Sequence, residues 1–396
     1  MSNRSWFPSR RSFLQLSAAA SAATAIRIVT EPMLAAAARG QVSQGAVIID
    51  GNENPLGPSQ AAREAAAAIL PQGGRYLDHL TTDLTAAFAQ SEGLHPDQVQ
   101  FFAGSSGPLR FAVLASTSPK KSYVTADPGY EAGLYAAEAS EARIVKVPLT
   151  KTFSHDVKAM IASAPDAGLF YVCTPNNPTG TVTPHSDIEY LVENKPKGSV
   201  VMVDEAYTHF CAAPSALDLV KAGKDVIVLR TFSKLYGMAG LRCGLAAARP
   251  DLLEKINSVG GWNALPITAV VAAQASLSDA QLVPERRRIN AAIRQETFEW
   301  LDRSGYSYIP SEANFFQLDT KRPGNEVIEA MSRQGVHIGR IWPVMPTYVR
   351  ITVGTRDEML RFQDAFRKVM SGAASIAVLH QSAQARQRHD GAFPIV

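Results

Sequence analysis

A lysine in a loop can condense with an aldehyde when apolar neighbours close a pocket around it, and Lys234 has that setting. It belongs to Thr231-Phe-Ser-Lys-Leu-Tyr-Gly-Met-Ala-Gly-Leu-Arg-Cys-Gly244. The hydroxyls of Thr231 and Ser233, with Arg242 beyond the lysine, supply donors of the kind a phosphate dianion requires. Upstream, the strand-like run Val200-Val-Met-Val203 delivers Asp204 to a strand end, followed by Glu-Ala-Tyr207. A carboxylate there can pair with a protonated pyridine nitrogen and make the ring an electron sink. A strand-end Asp alone is an ordinary cap, and a Ser-Lys pair alone is ordinary surface. Lysine, acid and phosphate clamp in this chain order together describe a site for pyridoxal phosphate.

Other segments can serve the same site. Gly104-Ser105-Ser106-Gly107 follows a strand-like Val99-Gln-Phe-Phe-Ala103 and precedes an apolar, helix-like stretch, so its amides would form a phosphate nest at a helix N-terminus. The plainer reading is a capped helix start. Asn177-Pro-Thr-Gly180 is good turn chemistry in its own right. Arg350 lies in Tyr348-Val-Arg-Ile-Thr-Val-Gly354, whose alternation puts its side chain on one defined face. Its planar guanidinium suits bidentate capture of a carboxylate.

Eight short segments in order carry a resemblance: Gly51-Asn-Glu-Asn-Pro-Leu-Gly-Pro-Ser59, Arg75-Tyr76, Gly104-Ser-Ser-Gly107, Asp127-Pro-Gly-Tyr130, Asn176-Asn-Pro-Thr-Gly180, the two segments around Asp204 and Lys234, and Val349-Arg-Ile-Thr-Val-Gly354. From about residue 50 to 368 the chain resembles the fold type I pyridoxal phosphate enzymes, and among them the class I and II aminotransferases of the histidinol-phosphate aminotransferase branch. The resemblance implies that Tyr130 stacks on the cofactor face, that Asn177 and Tyr207 hydrogen-bond its phenolic oxygen, and that Gly104, Ser105 and Ser106 join Thr231, Ser233 and Arg242 at the phosphate. Tyr76 would reach the partner's cofactor phosphate across a homodimer with shared active sites. Lys234, Asp204 and Tyr207 become the catalytic set, and Arg350, Arg340 and Asn54 the substrate ligands, Arg340 serving a distal phosphate. That branch carries a Pro-Tyr segment upstream of its Asn-Glu-Asn-Pro motif, and residues 32–46 contain no match.

The implied reaction moves an amino group from a histidinol phosphate-like amine or an aromatic amino acid to a 2-oxo acid such as 2-oxoglutarate. Two alternatives remain open at this point. One is decarboxylation or lyase chemistry on a phosphorylated amino acid, since Cα bond choice depends on orientation. The other is a cofactor-binding module without turnover.

The N-terminus reads differently. Ser9-Arg-Arg-Ser-Phe-Leu-Gln15 is a twin-arginine pattern, followed by an alanine-rich apolar run over 14–28 and small residues at 35–38. These predict a leader over residues 1–38, engagement of the twin-arginine export machinery and a periplasmic or extracellular location. Arg27 and Glu31 interrupt the run, which argues against a membrane anchor.

Composition fits a globular enzyme, with 46% hydrophobic and 19% charged residues and a net charge of +3. Basic residues are scattered, so nothing points to nucleic acid. Cys173, Cys211 and Cys243 have no paired spacing, which argues against a disulfide framework, and no metal-ligand spacing stands out among the histidines. Strand-like runs at 122–126, 169–174, 199–204, 226–231 and 243–248 alternate with helical patterns, predicting an α/β fold with a mainly parallel sheet. Motif residues fall at the C-terminal strand ends, where open α/β sheets bind ligands. The expected division is an arm over 39–70, a large cofactor-binding domain over 71–265, a smaller α+β domain over 266–370 and a mobile tail over 371–396. Within the smaller domain, strands are expected at 306–319 and 348–354, a long helical stretch at 266–304 and a helix at 358–370.

Overall fold

The computed structural model describes residues 30, 31, 33, 34, 42–261 and 264–389; the twin-arginine segment at 9–15 lies outside them. After a short strand, β1 (Val47–Ile49), the chain builds a seven-stranded sheet from β2 (Val99–Phe102), β3 (Ser122–Asp127), β4 (Ile144–Pro148), β5 (Ala167–Cys173), β6 (Val200–Asp204), β7 (Val226–Thr231) and β8 (Gly244–Ala248). Their spatial order is β2-β8-β7-β6-β5-β3-β4. All neighbours run parallel except β8, which is antiparallel to both β7 and β2.

Continuous apolar runs explain this arrangement, because a parallel sheet is covered on both faces. Every residue of β5, β6 and β7 is buried. Period-two alternation sends Val201 and Val203 into one core and Val200 and Met202 into the other. The first core is closed by α1 (Gln60–Ile69), which contributes Ala62, and α2 (Asp78–Glu92), which contributes Leu84 and Phe88. The second is closed by α3 (Ser106–Ser116) through Leu109 and Val113. Further helices along the sheet are α4 (Ala132–Ala139), α5 (Val157–Ser163), α6 (His185–Asn194), α7 (Leu217–Lys221) and α8 (Pro250–Gly260).

The 266–304 stretch is two helices, α9 (Ile267–Ser278) and α10 (Leu282–Arg303). Buried Ala269, Ala272 and Ala273 put α9 in the same core as Ala62 of α1. The expected strand over 306–319 is also two, β9 (Ser307–Ile309) and β10 (Phe315–Asp319). Between them Ser311 turns the chain, its hydroxyl donating to Phe315 O. With α11 (Gly324–Arg333), β11 (Val336–Ile338), β12 (Tyr348–Thr352) and α12 (Arg356–His389), these surround a third core that includes Phe298, Phe316 and Val349. β1 pairs in parallel with β11, which returns the N-terminal segment to this module. The expected tail begins inside α12, which continues past Ser371 to His389 because the alanine- and glutamine-rich sequence favours helix and carries no proline there. Among the described residues no helix is long and apolar enough to cross a membrane.

Candidate active site

A cavity of about 230 Å³ opens at the C-terminal ends of β5, β6 and β7, where Cys173, Asp204 and Thr231 line it. Ser105, Ser106, Tyr130, Asn177, Tyr207, Ser233, Lys234 and Arg242 line the same space. Segments separated by more than a hundred residues thus converge on one cavity.

Lys234 is buried, and its Nζ donates to Gly51 O at 3.3 Å. It lies 5.6 Å from the Tyr207 ring centroid. Burial pulls its pKa down to about 8, against an opposing attraction from Glu31. Asp204 is held from two sides: Tyr171 Oη donates to Oδ2 at 2.8 Å and Ala206 N donates to Oδ1 at 3.1 Å. Burial raises its pKa to about 6 despite those hydrogen bonds. A bound cation would relieve that cost, as a pyridinium nitrogen would.

The other end of the cavity fits a phosphate. Helix α3 begins at Ser106 with Ser105 at its N-cap, so free amides point outward. Arg242 Nη1 donates to Ala239 O at 2.8 Å and to Ser233 Oγ at 3.4 Å, and Arg242 makes no ion pair among the described residues. Gly104 has φ +90°, and a Cβ there would fall 2.1 Å from Arg242 Nη2. The guanidinium therefore occupies space that only glycine leaves clear. Unpaired cation, hydroxyls and helix amides make this donor set suitable for the phosphate of pyridoxal phosphate.

The substrate side differs from the sequence-based expectation. Arg350 is fully buried; its Nη1 donates to Asn177 Oδ1 at 2.8 Å and its Nη2 to Asp50 O at 2.6 Å. Nη2 also pairs with Glu31 Oε1 at 2.5 Å. Arg340 pairs with Glu131 through Nη1 at 2.5 Å and Nη2 at 3.0 Å, and with Glu31 Oε2 at 3.3 Å. Asn177 Nδ2 donates to the same Glu31 oxygen at 3.2 Å. Burial favours the neutral acid, but the two guanidiniums outweigh it and hold Glu31 at about 2. Glu31 lines the cavity, whereas neither arginine does.

Two expected residues lie elsewhere. Asn54 donates to Leu235 O at 2.7 Å, bracing the loop after Lys234 and facing a different, smaller hollow. Its amide is engaged by backbone, and it stands outside the cavity around Lys234. Tyr76 is 77% exposed beside Arg75 in a separate surface hollow. Three residues joined the site unannounced. Tyr171 in β5 reaches Asp204, and a polar ring in a buried strand next to the acid-bearing strand was the available clue. Asn52 Nδ2 donates to Tyr207 Oη at 3.0 Å from a backbone with φ 54°, a conformation asparagine tolerates. Glu31 offered no clue, because it sits in the stretch read as a leader.

With this geometry established, residues 47–366 also match the sequence model of the family described as aminotransferase class I and II. The chain belongs to that family. A histidinol-phosphate aminotransferase of Moorella thermoacetica is 35% identical over 333 residues, covering 81% of this chain and 84% of that protein. An aromatic amino acid aminotransferase of Cutibacterium acnes is 32% identical, covering 83% and 94%. The crystal structure of the Sinorhizobium meliloti histidinol-phosphate aminotransferase, in complex with pyridoxal-5'-phosphate, superposes with a TM-score of 0.76 at 25% identity, covering 87% of this chain and 95% of that one. The molecule is thus a transaminase with the fold type I architecture, and its family depends on pyridoxal phosphate.

Proposed function

We propose that this aminotransferase holds pyridoxal phosphate in the Lys234 cavity and takes its amino group from a histidinol phosphate-like amine or an aromatic amino acid, with a 2-oxo acid such as 2-oxoglutarate as acceptor. The observation that carries the reading is the juxtaposition of Lys234, Asp204 and the Gly104-Arg242 cradle in one cavity. The names of the Moorella and Cutibacterium relatives support the two donor classes.

When bound, the cofactor supplies the electron sink for Cα chemistry. The chain's own groups do the rest. Lys234, with its pKa brought near 8 by burial, can take the proton from the donor's Cα and return it elsewhere at neutral pH. Asp204 keeps a positive charge in place opposite it, and Tyr171 and Ala206 keep Asp204 in place. Asn52 orients the Tyr207 hydroxyl toward the cavity. Arg350 receives the carboxylate of donor or acceptor.

The working unit in this reading is a homodimer in which Tyr76 completes the partner's site, with a large domain over 71–265 and a smaller one over 266–370. The twin-arginine pattern at 9–15 directs the loaded, folded enzyme to the periplasm or beyond. That placement favours a scavenging or specialised role over cytoplasmic histidine synthesis. The test is product analysis of the purified holoenzyme with amino acids and phosphorylated amines. A new oxo compound formed in step with glutamate from 2-oxoglutarate is expected; carbon dioxide without an oxo product would replace transamination with decarboxylation.

A further inference from the structure

The position of Glu31 has a consequence for substrate entry. Its carboxylate accepts from Arg350, Arg340 and Asn177 at once, and it lines the open cavity, which neither arginine does. Two guanidiniums and the two carboxylates of Glu31 and Glu131 cancel, so this end of the cavity has no net charge left to attract a substrate anion. Glu31 satisfies the arginines incompletely. It reaches Arg350 through Nη2, while the buried Nε of Arg350 and that of Arg340 have no hydrogen-bond partner among the described residues. A free carboxylate can rotate to take Nε and Nη2 together, the bidentate geometry that Glu31 does not achieve.

We propose that Glu31 is an internal competitor in the substrate-carboxylate subsite, seated on Arg350 until a substrate carboxylate displaces it. The proposal rests on the reading of Arg350 as the substrate-carboxylate ligand. A ligand tethered to the same chain is present at an effective concentration on the order of millimolar or above, so it raises the apparent KM of every carboxylate substrate without entering the chemistry. In the chain that retains residues 1–38, Glu31 thereby sets a selectivity: weak monocarboxylates fail to displace it, while donors and acceptors with further contacts in the cavity succeed. If the leader over 1–38 is removed, Glu31 leaves with it and the subsite is open.

The test compares full-chain holoenzyme with its Glu31→Gln and Glu31→Ala variants. Succinate binding is measured by calorimetry, and KM and kcat are measured with 2-oxoglutarate. Removal of the competitor should tighten succinate and lower KM by roughly tenfold or more while kcat changes by less than about threefold. Unchanged or weaker binding in both variants would overturn the proposal and make Glu31 a structural or substrate-contacting group. Hydrogen exchange on the unsubstituted chain provides an independent readout: saturating succinate should speed exchange at the amides of Glu31, Met33 and Leu34, and slower or equal exchange contradicts displacement. Arg350→Lys in the Glu31→Gln background separates the two layers of argument. If succinate binding survives there undiminished, the Arg350 reading itself fails; if it is lost while Glu31→Gln alone tightened nothing, the competitor proposal alone fails.

Discussion

The two ends of the cavity are built on different principles. At the cofactor end, Cys173 and Asp204 are register partners on adjacent parallel strands, and Thr231 ends the next strand along. Each side chain is aimed by a strand whose residues are buried on both faces, so the geometry is inherited from the core. At the substrate end, Glu31, Glu131, Arg340 and Arg350 form a largely buried ionic network that ties segments as far as 319 residues apart. There the charges set the geometry. Buried ion pairs gain little net stability, because desolvation opposes their attraction, yet removing one partner leaves an uncompensated charge. The cofactor end is therefore preorganised, while the substrate end has partners that can be exchanged.

The sharpest way to break this contrast is at Lys234. In Lys234→Ala the covalent link and the proton shuttle both vanish, so turnover should fall by several orders of magnitude while the fold, which loses only the long hydrogen bond from the amine to Gly51 O and its contact with the Tyr207 ring, is kept. Borohydride treatment of the unsubstituted holoenzyme should fix the cofactor to the peptide containing Ser233-Lys234. Substantial transamination by the alanine variant would remove Lys234 from the mechanism.

Asp204 tests whether the cofactor end is electrostatically as well as geometrically preset. Asp204→Asn keeps the shape and removes the charge, and proton transfer should slow by roughly a hundredfold or more, with modest loss of cofactor binding. Its titration gives a second handle. In the cofactor-free protein the acid sits at about 6, so its anion is present above that pH and lost as pH falls toward 5. Cofactor affinity should fall over that window. Phosphate esters also titrate near pH 6, so the diagnostic is the difference between protein and variant. Equal pH profiles would mean that Asp204 does not hold the ring charge.

Legibility in the sequence follows the same division. Five central strands lie within a few residues of their expected positions, because β5, β6 and β7 are mainly apolar runs, polar in β6 and β7 only at the C-terminal ends, at Asp204, Arg230 and Thr231. The groups around Lys234 and Asp204 were visible because one short segment holds the lysine with its phosphate donors and another holds the acid. Glu31 was invisible: its meaning depends on Arg350 and Arg340, and nothing local distinguishes it from any charge in an alanine-rich stretch. Arg340 was visible as a residue, but its Glu131 partner on a distant segment was not. Asn54 shows the converse: its motif suggested substrate, while in the structure its amide donates to Leu235 O. Helix α12 ran past its expected end because helix propensity can extend an element that no core requires.

The two arginines should differ in the size of their effect, and the smallest is expected at Arg340. Arg350 turns its Nη atoms toward Asn177, Asp50 O and the displaceable Glu31, so Arg350→Lys replaces a planar fork by a point charge and should cost about 30- to 1000-fold in kcat/KM with every carboxylate substrate. Arg340 already carries the Glu131 carboxylate on both Nη atoms and lies against Trp342, 4.3 Å from the ring centroid; burial opposes its charge, but Glu31 and then Glu131 raise its pKa. A distal phosphate would have to share that guanidinium. Arg340→Ala should therefore cost a phosphorylated donor only about tenfold and an aromatic amino acid less than about threefold. Glu131→Gln, which leaves Glu31 as the cation's remaining carboxylate partner among the described residues, should improve the phosphorylated donor and leave the aromatic one unchanged. Steady-state kinetics with the two donors decides the matter: if Arg340→Ala lowers both by the same factor and Glu131→Gln helps neither, Arg340 serves to neutralise Glu131 and position Glu31, and donor choice is made elsewhere in the cavity.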